Sequence, residues 1–461
     1  MDTRRNLFDS LVLPAAFLGM VGGSYWAGVR MSSEGCGWTN GLIWGLAWYY
    51  LSAAPRGRSQ RPYASGWFVL ASVVGFYLGG HHGYGQFHSW VQGMFHLHYQ
   101  AGELVPISPW LGYWWVFLCG WGWGGVAGIL LVWSVFRPRM PVWQWGVRTG
   151  LAVGMAWVFR TFTLARPDLI MPLYDQVDYS NLPLCPDCAC PDCERTVRTL
   201  AESMMWLGFY MGGLMFEVSR KDWNKAGFIL TTGVGFGCAF TAFEWLHLPL
   251  FTTGSLWKYW ECSCGLLGGL TLGVCFCLFN RRVPDGLPVD QQSGSLRGWV
   301  VAAERLVGLW LPLLVSFYMV TTKESQHYFR YFGMEKTAFM DGVGVCLFIV
   351  LTTIGCFVAY RTFLCSGSGL FGPAVSRPGR LFLTSYIAMF LVSWLHTLDG
   401  IKDNVSQRFE VALYAIPFLL GIVFFFWISV RRQRFYSARV SGEGPNDVQQ
   451  DSRIRIPSQT E

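Results

Sequence analysis

WVFLCGWGWGGVAGILLVWSVF (residues 115–136) carries no charged side chain. A run of about 20 apolar residues crosses the roughly 30 Å hydrocarbon layer as a helix, since lipid offers no partner for an open backbone. IPFLLGIVFFFWISV (416–430) repeats the pattern near the other end of the chain. Composition agrees. Of 461 residues 52% are apolar, 17% aromatic and only 14% charged, where soluble domains carry about a quarter charged. A soluble enzyme is excluded.

Working outward from 115–136, the apolar blocks predict an all-α polytopic integral membrane protein of twelve spans. Their centres fall near residues 19, 45, 72, 122, 150, 208, 235, 268, 312, 348, 388 and 420. The start, MDTRRNLFDSLVLPAAFLGM, reads as a retained signal anchor. Lys and Arg set the orientation. With the N-terminus inside, the alternate connections hold twenty basic residues, from Arg4 and Arg5 to Arg431, Arg432, Arg434 and Arg439, against ten on the other side. Both termini are therefore expected in the cytoplasm, with the chain in a cell (inner or plasma) membrane. The net charge of +7 is topogenic, and nucleic acid is not expected as a partner.

The chain also resembles itself. Gly120, Gly124 and Gly128 in the fourth span match Gly265, Gly269 and Gly273 in the eighth, and EWLH (244–247) returns as SWLH (393–396). The offset of the tetrapeptides also carries Glu261 onto Glu410. These matches predict three parallel four-helix repeats: residues 1–140, 141–282 (with an outer loop at 167–198) and 298–432. A disordered cytoplasmic tail is expected over 433–461. Small residues every fourth position let helix backbones approach closely in lipid. Gly75, Gly79 and Gly83, and Gly208 and Gly212, extend that pattern.

Three groups carry possible chemistry. CPDCACPDC brings Cys185, Cys188, Cys190 and Cys193 into nine residues of the outer loop. Four thiolates suit a tetrahedral zinc, although structural sites usually separate their halves more widely, and an oxidising outer side equally suits disulfides. HHGYGQFHSWVQGMFHLH (81–98) holds five of the eight histidines. On a helix His88, Gln92 and His96 would share a face whose neutral imidazoles suit zinc, copper or iron, although the spacing matches no di-metal His-box pattern; the bland reading is a re-entrant or interfacial helix with aromatic anchors. The third group lies near the outer helix ends: His88, Glu244, Trp245, His247, Glu261, Trp394, His396 and Glu410. Each Trp-Leu-His is expected to end an outgoing helix, with Glu261 or Glu410 beginning the returning one. A carboxylate close to an imidazole would form a proton-coupled or cation-attracting chamber.

The function expected first is a transporter or channel for a small solute or ion. A membrane enzyme acting on a lipid-linked substrate and an assembly or scaffold protein are the alternatives, and membrane lipids are partners in each. Polar groups at mid-depth favour transport. A His/Glu cleft open to lipid favours the enzyme, and a centre plugged with Trp and Phe favours the scaffold.

Overall fold

A computed structural model of the chain describes residues 11–29, 33–53, 61–80, 90–98, 101–134, 140–170, 191–247, 257–281, 297–331, 375–401 and 405–440, with isolated residues between 342 and 354. Within them the protein is helical apart from one hairpin. The long helices are α1 (Leu13–Gly28), α2 (Ser33–Ser52), α3 (Gly66–Gly79), α4 (Pro109–Trp133), α5 (Val142–Ala165) and α6 (Pro191–Ser219). They continue with α7 (Trp223–Thr241), α8 (Trp257–Phe279), α9 (Leu311–Tyr331), α10 (Arg377–Ile401) and α11 (Val405–Val440). A seven-residue helix, Arg297–Ala303, runs into α9 through a π-helical stretch, Glu304–Trp310.

Five segments, Pro109–Trp133, Trp223–Leu246, Lys258–Phe279, Gly298–Thr322 and Leu413–Gln433, are long and apolar enough to cross a membrane. The chain is a membrane protein. Helices stand at eleven of the twelve expected centres; the remaining one, near 348, lies outside the described residues except for isolated positions.

Local chemistry sets the helix ends. Pro109 opens α4, where its missing N–H costs nothing. The Asp222 carboxylate accepts from the Lys225 N–H at 3.3 Å and so caps α7. Between α6 and α7 the chain turns through Lys221, whose φ of 59° is left-handed.

The packing is antiparallel and built on close backbone approach. A methyl group on Gly22, Gly265, Gly269 or Gly273 would run into the facing backbone of α8 or α1. Gly120 and Gly124 of α4 meet the Phe236 and Thr232 carbonyls of α7 in the same way, and Gly208 and Gly212 of α6 meet Met155 and Leu151 of α5. The two ladders that match in sequence thus have partners of different rank. That of α4 faces α7, the penultimate helix of the second proposed unit, whereas that of α8 faces α1, the first helix of the first.

Between these pairs the axis of the bundle is filled with rings. Trp260 meets Phe240, and Phe240 meets both Trp26 and Trp123, at centroid separations of 5.6–5.9 Å. Trp26 continues to Trp44, which contacts Phe76 and Phe236. One turn further along α2, Trp48 packs against Phe68, Phe228, Phe276 and Tyr63. All of these rings are buried. Edge-to-face and offset pairs add about 0.5–1.5 kcal/mol each beyond their burial, so the column is a strong cohesive element.

α1 begins and α11 ends at one end of the bundle. The Leu11 carbonyl lies 3.7 Å from Cys277 Sγ near the close of α8, and Arg432 near the close of α11 donates to the carbonyls of Tyr50 and Leu51, at 2.9 and 2.6 Å. Two local expectations need correction. Met94–His98 is a β-strand, paired antiparallel with Ala101–Pro106, so His96 and His98 do not extend a helical face from residue 88. The strand fits its sequence: MFHLH alternates, and Gly93 takes a φ of 78° before it. Second, α11 continues to Val440, eight residues into the segment expected to be a disordered tail.

Candidate functional site

α7 stops at Thr241, and EWLH follows as a 3₁₀ turn, Glu244–His247. Pro249 lies just beyond in sequence and disfavours continued helix at the residue before it. Phe236 and Phe240 face α4, and Glu244, four residues on, keeps that face; its side chain is fully buried. The turn that carries it packs against α8. Glu261, in the second turn of α8, is buried too and pairs with Lys258 at 3.0 Å. The indole N–H of Trp260 donates to the Phe240 carbonyl at 2.9 Å and seals the ring column beneath. Two buried carboxylates from neighbouring elements thus converge at one end of the bundle. Trp245 points elsewhere. It is 40% exposed and packs on Phe243 at 6.3 Å.

The other expected chamber residues do not complete this group. His247 is placed only as backbone of the turn. Ser393–His396 lies inside α10, which runs on to Ile401, so SWLH does not end its helix as EWLH does. Trp394 and His396 are described as helical backbone, as is Glu410 in the second turn of α11. His88 lies outside the described residues, as do Cys185, Cys188 and Cys190. Cys193 is placed as backbone of the first turn of α6. The zinc-or-disulfide expectation therefore falls outside the described residues, and no group of three metal-ligating side chains occurs among them.

The opposite end carries polar anchors that no sequence motif announces. Asn280 Oδ1 accepts from the Tyr63 N–H at 3.1 Å, its Nδ2 donates to Ser52 Oγ at 2.8 Å, and its carbonyl accepts from Arg61 Nη1 at 2.5 Å. Burial pushes the Tyr63 phenol above its ordinary pKa. Glu304, where the π-helical stretch begins, accepts from the Gly66 N–H at 2.6 Å at the start of α3. Arg148 of α5 is buried against Glu217 of α6, with its guanidinium over Trp145 at 4.8 Å and Trp133 at 5.2 Å. Several of these residues, Arg61 and Arg432 among them, count as topogenic charge in the sequence. Their second role is to satisfy helix-end carbonyls, a role with no spacing signature.

No family model, no curated protein and no solved structure matches the chain.

Proposed function

We propose that this chain is an assembly protein of the membrane, a solid helical bundle that works through its outer surface. The observation that carries this reading is the aromatic column from Trp260 to Tyr63, which fills the axis where a passage would run. The surface offered to a partner is the outward face of α5. Trp143 and Trp157 are 67% and 66% exposed there, and added side chains at Gly146, Gly150 and Gly154 would meet open space. Close helix approach in lipid uses such faces. The test is photo-crosslinking in native membranes from residues 143, 150 and 157, with Leu419 of α11 as a lipid-facing control. Discrete protein adducts from α5 alone support assembly. Adducts only to lipid at all four positions, together with protein-dependent solute flux in proteoliposomes, sink it.

Transport of a small solute or ion is the second reading, favoured by the convergence of buried Glu244 and Glu261. On that reading Glu261→Gln abolishes flux without loss of folded protein. The enzyme reading has less support, because Glu244 is buried in the turn after α7 and Glu261 is buried on α8, while the exposed side of α7 carries Leu230, Val234 and Cys238.

The twelve-span count belongs here as well. α9 and α10 both set out from the end where α2 closes, through Glu304 on Gly66 and Gly379 against the Tyr50 ring. A return crossing between them supports a span near residue 348, and an even total agrees with both termini on one side. We assign that side to the cytoplasm of a cell membrane on the Lys/Arg distribution. The three-repeat scheme keeps only its sequence support.

A further inference from the structure

Between α7 and α8 runs a lateral groove of about 720 Å³, walled by Leu230, Val234, Cys238 and Ala242 on one side and Leu267, Leu270 and Val274 on the other. We infer that this groove holds one acyl chain of a membrane lipid from the leaflet at the Glu244 end. Its volume falls in the range of roughly 300–1,000 Å³ typical of small-molecule sites. Three observations commit the occupant.

First, α7 and α8 both belong to segments apolar and long enough to cross the membrane, and Leu230, Val234 and Cys238 are exposed. The groove is continuous with the surface those segments present to the hydrocarbon. The medium that fills it is lipid. Second, its length fits a chain and not a helix. The α7 wall runs from Leu230 to Ala242, about 18 Å at 1.5 Å per residue. That is roughly one leaflet of the 30 Å layer, whereas a partner's spanning helix would need the full depth. Third, the α7 wall ends at Ala242, directly before Phe243 and Trp245, which are 38% and 40% exposed, with their rings tilted against one another at 6.3 Å. Half-exposed aromatics of this kind sit at headgroup level. They mark where the lipid's polar end lies.

The groove is shaped by small residues. A Cβ on Gly235 would strike the Thr271 side chain, and Thr271 turns its hydroxyl to the Leu267 carbonyl at 2.9 Å, leaving its methyl for the wall. Glu244 faces α4 from the opposite side of α7, so the site is separate from the carboxylate pair and does not depend on the assembly reading.

The test uses the full chain in phosphatidylcholine vesicles containing a diazirine-tagged diacyl phosphatidylcholine, with labelled residues mapped by mass spectrometry. Labelling at 230–242 is expected to saturate with probe mole fraction, and Cys238→Phe and Ala242→Phe, which fill the groove from exposed positions, should each lower it about tenfold, or about 1.4 kcal/mol. Leu419→Phe on α11 should change nothing. Labelling that rises linearly and equally on α7 and α11 would mean ordinary lipid solvation and overturn the site. So would a native-membrane crosslink from Val234 or Cys238 to another protein. Saturation in the unsubstituted chain stands as evidence even where one filled variant fails to fold.

Discussion

α1 and α5 both carry glycines on one face, and the fold uses them in opposite ways. In α1, an added carbon on Gly22 would collide with the Gly265 carbonyl of α8, and on Gly19 or Gly23 it would be tight against Leu270 or Leu266. In α5, Gly146, Gly150 and Gly154 face open space, and the helix is held from its other side by Gly208 and Gly212 of α6. Small residues permit close approach, but lipid tails are as apolar as leucine and give no hydrophobic reason for it. What decides is the partner. α8 presents its own glycine row to α1, whereas α5 is fixed by one buried ion pair beside a tight crossing. α1 meets facing glycines on α8, whereas α5 is held on one face, from Arg148 to Thr163, and leaves its glycine face bare.

The sharpest way to break this contrast is to remove the pin. Arg148→Leu leaves Glu217 buried without its cation, a loss of about 3–5 kcal/mol. Unfolding in mixed micelles, followed by the denaturant midpoint, checks the size. Replacing Glu217 by Leu as well should recover most of it, since an apolar pair of similar volume is often neutral. A double variant as unstable as the single one would mean that the rings of Trp133 and Trp145, not the charge, hold α5.

Next in size is Gly265→Ala. Its new carbon would meet the Gly22 carbonyl and the Trp26 side chain, so α1 and α8 must separate. The expected cost is about 2–3 kcal/mol, the upper part of the overpacking range, measured by the same unfolding curves. A cost below about 0.5 kcal/mol would mean that the α1–α8 contact is looser than its glycines require. Asn280→Ala follows, at about 1–2 kcal/mol for two buried side-chain bonds, to Tyr63 N–H and Ser52 Oγ. Hydrogen exchange at residues 61–65 should report the released loop before global unfolding does.

These positions differ in how far the sequence announces them. The helices were legible because apolar blocks of spanning length are a compositional fact, and eleven of twelve expected centres carry one. Glu244 and Glu261 were legible as ionisable residues beside apolar blocks, and both side chains are buried. Their counterparts were less so. EWLH precedes a proline and closes into a 3₁₀ turn, whereas SWLH continues as TLDGI (397–401), with Pro absent until residue 417, and stays helical. Identity at three positions did not carry identical backbone. Met94–His98 misled for a related reason: with His every second residue it fits a strand, while the longer 88–96 spacing fits a helix. Asn280 and Arg148 gave no signal because their roles depend on residues far away in sequence, Ser52 and Glu217 among them.

The smallest expected effect is the most informative about function. Gly150→Leu adds a large side chain where nothing lies within 4 Å, on the outward face of α5. Surface changes away from packed features stay within about 0.5 kcal/mol, so the unfolding midpoint of the isolated chain should not move. A partner helix seated on Gly146, Gly150 and Gly154 would be displaced, because the leucine occupies the gap that lets backbones approach. The measurement is therefore a pair: stability in micelles, and recovery of the α5 crosslinked adduct from native membranes. Unchanged stability with loss of the adduct ties the glycine face to assembly. If adduct and stability both persist, the outward face of α5 meets only lipid, and the difference between α1 and α5 is then one of burial without a functional consequence. Loss of stability in the isolated chain would show instead that α5 already packs against another part of its own chain.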